Sequence, residues 1–486
     1  MLPDEGRYVG VAWEMMRSHD WLTPTLDGLP YFHKPPLFYW ITAASMSLFG
    51  TNEWAARAAP LLGATLGAMA LWLLIRRHGG GDAEARVRNA ELTLVALLAQ
   101  PLFFLGGQFA NLDTLVAGCI TATVALLADA VFSMESGKPY RRALLGAYAM
   151  GALGVLAKGL IGFVIPGGIV VVWLLLMGRW RTFLRLLSPV GLLVFLAIAA
   201  PWFLAMQQRF PDFLHYFFVV QHFQRFAAGG FNNVQPFWFY PGVLLIASLP
   251  WWPWLRRLFA RGYLADPIAR PLRLLMLCWF AVPVLFFSLP QSKLLGYVLP
   301  AVPPLAWLVA DAWRIGGKSS VRGWRAAAAG SLLFCLVIVS WLAVKPPHSE
   351  RDLGRALAEH YRPGDSIVML DQYYFDFPIY ARLQAPNVIV DDWRDGAILS
   401  KDSWRKEVFD AGRFAPDLAS ELLLTTEQLP ARLCRESRVW VLGTDEAFKR
   451  RQVPGVALPV ATELGVTLWQ LDQQAAVAAG QLSCSA

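Results

Sequence analysis

Pro3-Asp4-Glu5-Gly6-Arg7-Tyr8 and Pro30-Tyr31-Phe32-His33-Lys34-Pro35-Pro36 bound the stretch whose reading decides the fold. It gathers acids, cations and aromatics in a segment too polar to cross a bilayer, whereas apolar runs recur from there to about residue 345. That contrast places the chemistry in the polar stretch and makes the apolar part its scaffold. Asp4 and Glu5 follow a proline and precede Val9, Ala12, Trp13 and Met16 at helical spacing, with Arg7, Glu14 and Arg17 on the other face. The pattern predicts a short amphipathic helix along the membrane surface, capped by Asp4, with both acids at the favourable end of its dipole. Capping alone would also account for the two acids. Further on, Pro30, Pro35 and Pro36 hold His33 and Lys34 in extended, stiffened backbone. A cation beside an imidazole on such a loop suits an anion or a metal.

Working outward, the 486 residues are 56% apolar with 21 Trp, the composition of a polytopic membrane protein rather than a soluble domain. A net charge of +8 in such a chain follows from its cytoplasmic loops and gives no weight to nucleic acid as a partner. The five Cys form no metal pattern. Cys119, Cys278 and Cys335 lie in apolar runs as small buried hydrophobes; Cys434 and Cys484 fall in the polar tail, where they can pair if that tail is extracytoplasmic.

A helix needs about 20 apolar residues to span a bilayer. Residues 58–75, 92–108, 112–132, 143–157, 160–178, 186–206, 237–255, 274–290, 294–310 and 326–344 qualify to varying degrees, which predicts about ten spans; 36–50 reads as a non-spanning or re-entrant piece. Lys and Arg crowd alternate loops: Arg76, Arg77, Arg86 and Arg88; Lys138, Arg141 and Arg142; Arg179, Arg181 and Arg185; Arg256 through Arg273; Arg314 through Arg325. The opposite internal loops hold Lys158, Arg209, Arg225 and Lys293. The crowded side is cytoplasmic by the positive-inside rule.

On the other side fall Asp4, Glu5, His33, Lys34, Asp113, Lys158, His222, Arg225 and Lys293, the last shortly before Tyr297. Singly each has a plain explanation: Lys158 and Lys293 snorkel from helix ends, and Asp113 caps a helix after Asn111. Jointly, ionisable groups gathered at one membrane face mark a functional site. In Gln221-His222-Phe223-Gln224-Arg225-Phe226 the His and Arg, three apart, share a helix face suited to a phosphate or carboxylate. From Lys345 onward the composition is that of a soluble domain. A helix over 350–361 and strands at Ser366–Leu370, Asn387–Val390, Val439–Leu442 and Gly465–Leu471 predict a small α/β domain without a phosphate loop or nucleophile elbow. The chain thus divides into a first extracytoplasmic loop (1–53), a membrane domain (54–344) and a C-terminal domain (345–486).

The motifs above, with Asp20-Trp21-Leu22-Thr23-Pro24, Asn111-Leu112-Asp113, Ala157-Lys158-Gly159 and Ser292-Lys293-Leu294-Leu295-Gly296-Tyr297, occur in the order seen in bacterial GT-C glycosyltransferases. The chain resembles the lipid A aminoarabinose transferases and the protein O-mannosyltransferases (family 39-like) over nearly its whole length. The resemblance implies a GT-C membrane fold with an α/β extracytoplasmic domain, and inverting transfer from a polyprenyl-phosphate sugar at the periplasmic face of the inner membrane. On that template Asp4, with Glu5 beside it, resembles the first-loop catalytic acid and Asp113 the second carboxylate. Lys34 and Arg225 resemble the groups holding the lipid phosphate, with Lys158, Tyr297 and Lys293 nearby. Two departures stand out. The aminoarabinose transferases carry Glu where this chain has His33, so a zinc site would rest on a His33/His222 pair, few ligands for a closed site. The family's first span, which delivers the Asp-Glu loop outside, does not precede Asp4, and the sequence reads as truncated at its start.

The expected activity is transfer to a lipid, lipid A-like, or envelope glycan acceptor, with a protein acceptor next. A carboxylate takes the acceptor proton or supports the oxocarbenium-like centre, and cations hold the departing phosphate. Transport fits less well, because transporters place charges at mid-membrane in repeated halves, and neither feature is seen.

Overall fold

The computed structural model describes residues 1, 3–224, 233–316, 321–344, 349–400 and 403–484. The polar opening stretch folds as helix α1 (Pro3–Ser18), a hairpin of β1 (Thr25–Leu26) and β2 (Leu29–Pro30), helix α2 (Leu37–Phe49) and a short α3 (Glu53–Ala56). The helix expected to lie along the membrane surface is instead enclosed. Val9, Val11, Ala12 and Met15 are fully buried and Trp13 nearly so, and Gly6 lies so close to Asp376 of the C-terminal domain that a side chain there would meet its backbone. The sequence showed one apolar stripe; the valines and small residues between its members serve a second packing surface. Asp4 sits in the first turn rather than at the cap.

Among the described residues, six helices are long and apolar enough to cross a membrane, seven if one bent pair counts as a span. The six are α4 (Ala58–His78), α7 (Leu112–Glu135), Pro189–Arg209, Arg270–Ser288, Leu295–Arg314 and Val321–Val344, and each falls on one of the expected runs. Run 92–108 is not one straight helix: α5 (Ala83–Leu98) and α6 (Pro101–Gly107) meet at 70°, because Pro101 lacks an N–H and disfavours helical backbone before it. Run 143–157 is α8 (Arg141–Lys158), with charged residues at both ends, and 160–178 is a 16-residue helix α9 (Ile161–Leu176). Run 237–255 breaks into Phe239–Ala247 and two single turns, the turns carrying Pro250 and Pro253. The α4/α7 crossing, the heart of the bundle, is close because Gly63 and Gly118 bring the backbones into contact; a Cβ on either would overlap the facing chain.

The C-terminal domain is a six-stranded sheet in the order β5-β4-β3-β6-β8-β7. Strands β3 (Ser366–Leu370), β4 (Val388–Val390) and β6 (Arg438–Thr444) match the sequence reading, as does β8 (Val466–Asp472); β5 (Leu423–Leu424) and β7 (Leu458–Glu463) were not foreseen. β5, β4, β3 and β6 run parallel, while β8 and β7 add antiparallel. Alternation along β3 and β6 sends Val368, Leu370, Val439 and Val441 to one core, and Ile367, Met369, Trp440 and Leu442 to the core continuous with the first forty residues. Both faces are therefore covered, which explains the unbroken apolar runs of these strands. Cys434 and Cys484 are joined by a disulfide, and Cys119, Cys278 and Cys335 are buried and free.

Candidate active site

Asn111 accepts a hydrogen bond from the Asp113 N–H (2.8 Å) and so caps α7, placing the Asp113 carboxylate at the helix start, where the dipole favours an anion. Lys158 is the last residue of α8, which Gly159 ends at φ 92°. Its ammonium pairs with Asp113 and lies 4.3 Å from the centre of the Tyr297 ring. Gly296 passes so near the carboxylate that a Cβ there would overlap Asp113. One buried Asp–Lys pair, with an aromatic face beneath the cation, is thus assembled from three motifs distant in sequence.

Asp113 also lines a cavity of about 680 Å³, together with Asp4, Glu5, Arg57, Lys293 and Arg351. Its far wall is apolar, formed by Leu102, Leu105 and Phe109 with Ile338, Val339 and Leu342, which suits a lipid tail beside a polar head. The two first-loop acids differ. Glu5 is fully buried; one oxygen accepts from Arg57 Nε and the Ala110 N–H, both 2.9 Å, and the other from Arg57 Nη2, 3.0 Å. Burial disfavours the Arg57 charge, but the bonds and charges of Glu5 and Glu53 outweigh it and raise its pKa. Asp4 is exposed, 3.1 Å from Arg7, and Arg7 in turn reaches Glu407 of the C-terminal domain at 2.6 Å. Glu5 is fixed by its surroundings, whereas Asp4 is open to a substrate.

The remaining expected residues divide. Lys293 lines the cavity, with its ammonium donating to backbone carbonyls, that of Gln235 at 2.8 Å. Lys34 is half-buried and, like Lys158, does not line this cavity. His33 does not line it: Nε2 lies 2.9 Å from the Tyr216 hydroxyl, and its ring stacks on Tyr31 at 4.7 Å. Nδ1 lies 3.9 Å from Glu407. Among the described residues no group of three or more His, Cys, Asp or Glu is placed to hold a metal. The segment His215–Gln224 is a π-helix. The His222 side chain and all of Arg225 lie outside the described residues.

Residues 33–204 match the family model described as dolichyl-phosphate-mannose-protein mannosyltransferase. The undecaprenyl phosphate-alpha-4-amino-4-deoxy-L-arabinose arabinosyl transferase 1 of Sodalis glossinidius is 37% identical over 63% of this chain and 54% of its own length. The corresponding transferase of Aeromonas hydrophila is 33% identical over 72% and 64%. The chain thus spans somewhat more than half the length of the curated relatives it matches. The crystal structure of ArnT from Cupriavidus metallidurans in the apo state superposes with a TM-score of 0.80 at 22% identity, covering 99% of this chain and 95% of that one. The same protein bound to undecaprenyl phosphate gives 0.79. The fold is GT-C. The resemblance to the aminoarabinose and protein mannosyl transferases, drawn above from motif order, therefore holds in sequence, and the fold is that of the ArnT structure.

Within this GT-C fold the sequence reading missed Arg57 and Arg351. Arg57 precedes a membrane helix on the same side as Lys158 and Lys293, so the rule that selected those two could have found it. Arg351 carried no such signal, since only the docking of the C-terminal domain brings it to the cavity.

Proposed function

We propose that the protein is an inverting glycosyltransferase that moves a sugar from a polyprenyl-phosphate donor to a lipid, lipid A-like, or envelope glycan acceptor. The observation that carries this reading is that Asp4 and Asp113, from separate motifs, face one cavity with an apolar wall and cations at its polar end. The relatives named for arabinosyl transfer from undecaprenyl phosphate, and the similar fold crystallised with that lipid, support the donor class. Protein as acceptor is the second reading, favoured by the mannosyltransferase family model over residues 33–204.

In this reading the acceptor oxygen forms its bond to the anomeric carbon as the bond from that carbon to the phosphate oxygen breaks. The electron pair leaves on polyprenyl phosphate, and the acceptor proton, where there is one, passes to a carboxylate. Asp4, the open acid, is the base. Asp113, held by Lys158 over Tyr297, presents a fixed negative charge to the oxocarbenium-like centre. Lys34 and Arg225 hold the donor phosphate. Residues 1–53 act as the catalytic loop, 54–344 as the membrane domain and 345–486 as the covering domain. The cavity is periplasmic and the membrane is the bacterial inner membrane. The arginine-rich loops opposite the cavity support that orientation, and so does the Cys434–Cys484 disulfide, which belongs in an oxidising compartment.

Transfer is measured by mass spectrometry with a purified undecaprenyl-phosphate sugar as donor and lipid A as acceptor. Asp4→Asn and Asp113→Asn should each lower turnover by about 10²–10⁴-fold with membrane insertion unchanged. Wild-type turnover in both variants would remove the two carboxylates from the chemistry.

A further inference from the structure

Each acid on the cavity wall already has a cation. Asp4 pairs with Arg7, Glu5 and Glu53 with Arg57, and Asp113 with Lys158. The wall has one cation treated otherwise. Lys293 is 3% exposed and, among the described residues, forms no ion pair; its ammonium donates to the carbonyls of Pro290, Gln235 and, at 3.5 Å, Gln291. The segment bearing it is pinned. The Lys293 N–H donates to the Asn233 carbonyl at 3.1 Å, the Gln235 N–H donates to Gln291 at 3.0 Å, and Val234 bridges Ser292. Three residues on, Gly296 abuts Asp113. A buried ammonium held only by neutral carbonyls has no opposite charge beside it, which is costly unless an anion joins it. The long Gln291 bond is the one an incoming oxygen would replace.

We propose that Lys293 is a substrate-positioning residue that receives a phosphoryl group of a lipid entering the cavity, either the donor's or one on the acceptor. This rests on the glycosyltransferase reading and adds to it a residue whose charge, rather than its hydrogen bonds, is the working part. The plain alternative is that Lys293 only ties together the carbonyls after helix Arg270–Ser288. Glutamine separates the two, because it can still donate to carbonyls but carries no charge.

The test uses the full chain in nanodiscs, with undecaprenyl phosphate and uncharged undecaprenol as binding probes, and with lipid A and dephosphorylated lipid A as acceptors in the transfer assay. K293Q should melt close to wild type, while K293R should restore most of whatever K293Q loses. Weakening of undecaprenyl phosphate binding by about tenfold or more, with undecaprenol unaffected, assigns the donor's phosphoryl group. Unchanged donor binding with a similar rise in KM for lipid A, and none for its dephosphorylated form, assigns the acceptor's. K293Q equal to wild type in both assays overturns the proposal and leaves Lys293 a structural tie. A wild type that binds undecaprenyl phosphate, loses that affinity in K293Q, and transfers no sugar would keep the anion site and discard the glycosyltransferase reading. A wild type that binds neither lipid and transfers nothing discards both.

Discussion

At the scale of single residues, the arrangement depends on where a side chain is missing. Gly296 has no Cβ, and the space one would occupy is filled by the Asp113 carboxylate. Gly296→Ala should therefore push Asp113 off Lys158 without touching either residue. We expect kcat to fall by about 10–100-fold, as misplacement of a catalytic group of this order does, with a stability loss of about 1–3 kcal/mol. Turnover and thermal unfolding of the purified variant check both; an unchanged kcat would mean that the Asp113 position is not critical. Glu5 and Asp4 give the complementary lesson. They are adjacent in sequence and were read as a pair, yet one is consumed by Arg57 and Ala110 while the other stays open. Helical neighbours point in directions about 100° apart, and only the surrounding chain decides which direction is occupied.

At the scale of elements, the β1–β2 hairpin couples the first loop to the C-terminal domain. Its Asp27-Gly28 turn has φ 54° and 76°, the positive pair that an Asp-Gly dipeptide favours, and this signal in the sequence went unread. Glu14 of α1 accepts from the Asp27 and Gly28 N–H groups, at 2.6 and 3.0 Å, and from Thr25 at 2.8 Å. Asp27 accepts from the Asn387 N–H and side-chain amide at 2.9 and 2.6 Å. Burial, and then the charge of Glu14, push the Asp27 carboxyl up to about 8, against the donors of Asn387 and Tyr373. Burial likewise raises Glu14. An acid raised on folding holds its proton more tightly in the folded state. Its contribution is therefore complete below the unfolded value near 4 and is lost as pH climbs toward 8. The wild-type protein should lose about 2–4 kcal/mol of stability between about pH 5 and pH 8 from this group. Asp27→Asn, which cannot ionise, should flatten that slope. Thermal midpoints across the pH range check this, and parallel curves for the two proteins would exclude Asp27 as the source.

At the scale of the whole molecule, the C-terminal domain acts as a cover: it supplies Arg351 to the cavity, Glu407 to Arg7 and Asn387 to the hairpin turn. Its integrity should therefore bear on the shape of the cavity. The Cys434–Cys484 bond joins residues 50 apart near the chain end. Cys434→Ser with Cys484→Ser should lower stability by about 2–4 kcal/mol, read as an earlier thermal transition, and a coincident transition would show that the bond adds nothing.

Much of this was written in the sequence. Long apolar runs can satisfy their backbone in hydrocarbon only as helices, so α4, α7 and their partners could be placed from composition. Strands such as Ser366–Leu370 could be placed because side chains must suit both faces of a covered sheet. That Asp113 and Lys293 belong together was legible to the extent that they line one cavity, because charges at membrane level are costly and gather where they can be satisfied. What only the tertiary structure decided was pairing: Lys158 with Asp113, Arg57 with Glu5, His33 with Tyr216, and the burial of α1 under a domain more than three hundred residues away. Periodicity and composition register whether a side chain prefers water or its absence. They do not register which distant group meets it there, because that is set by the closure of the chain in space.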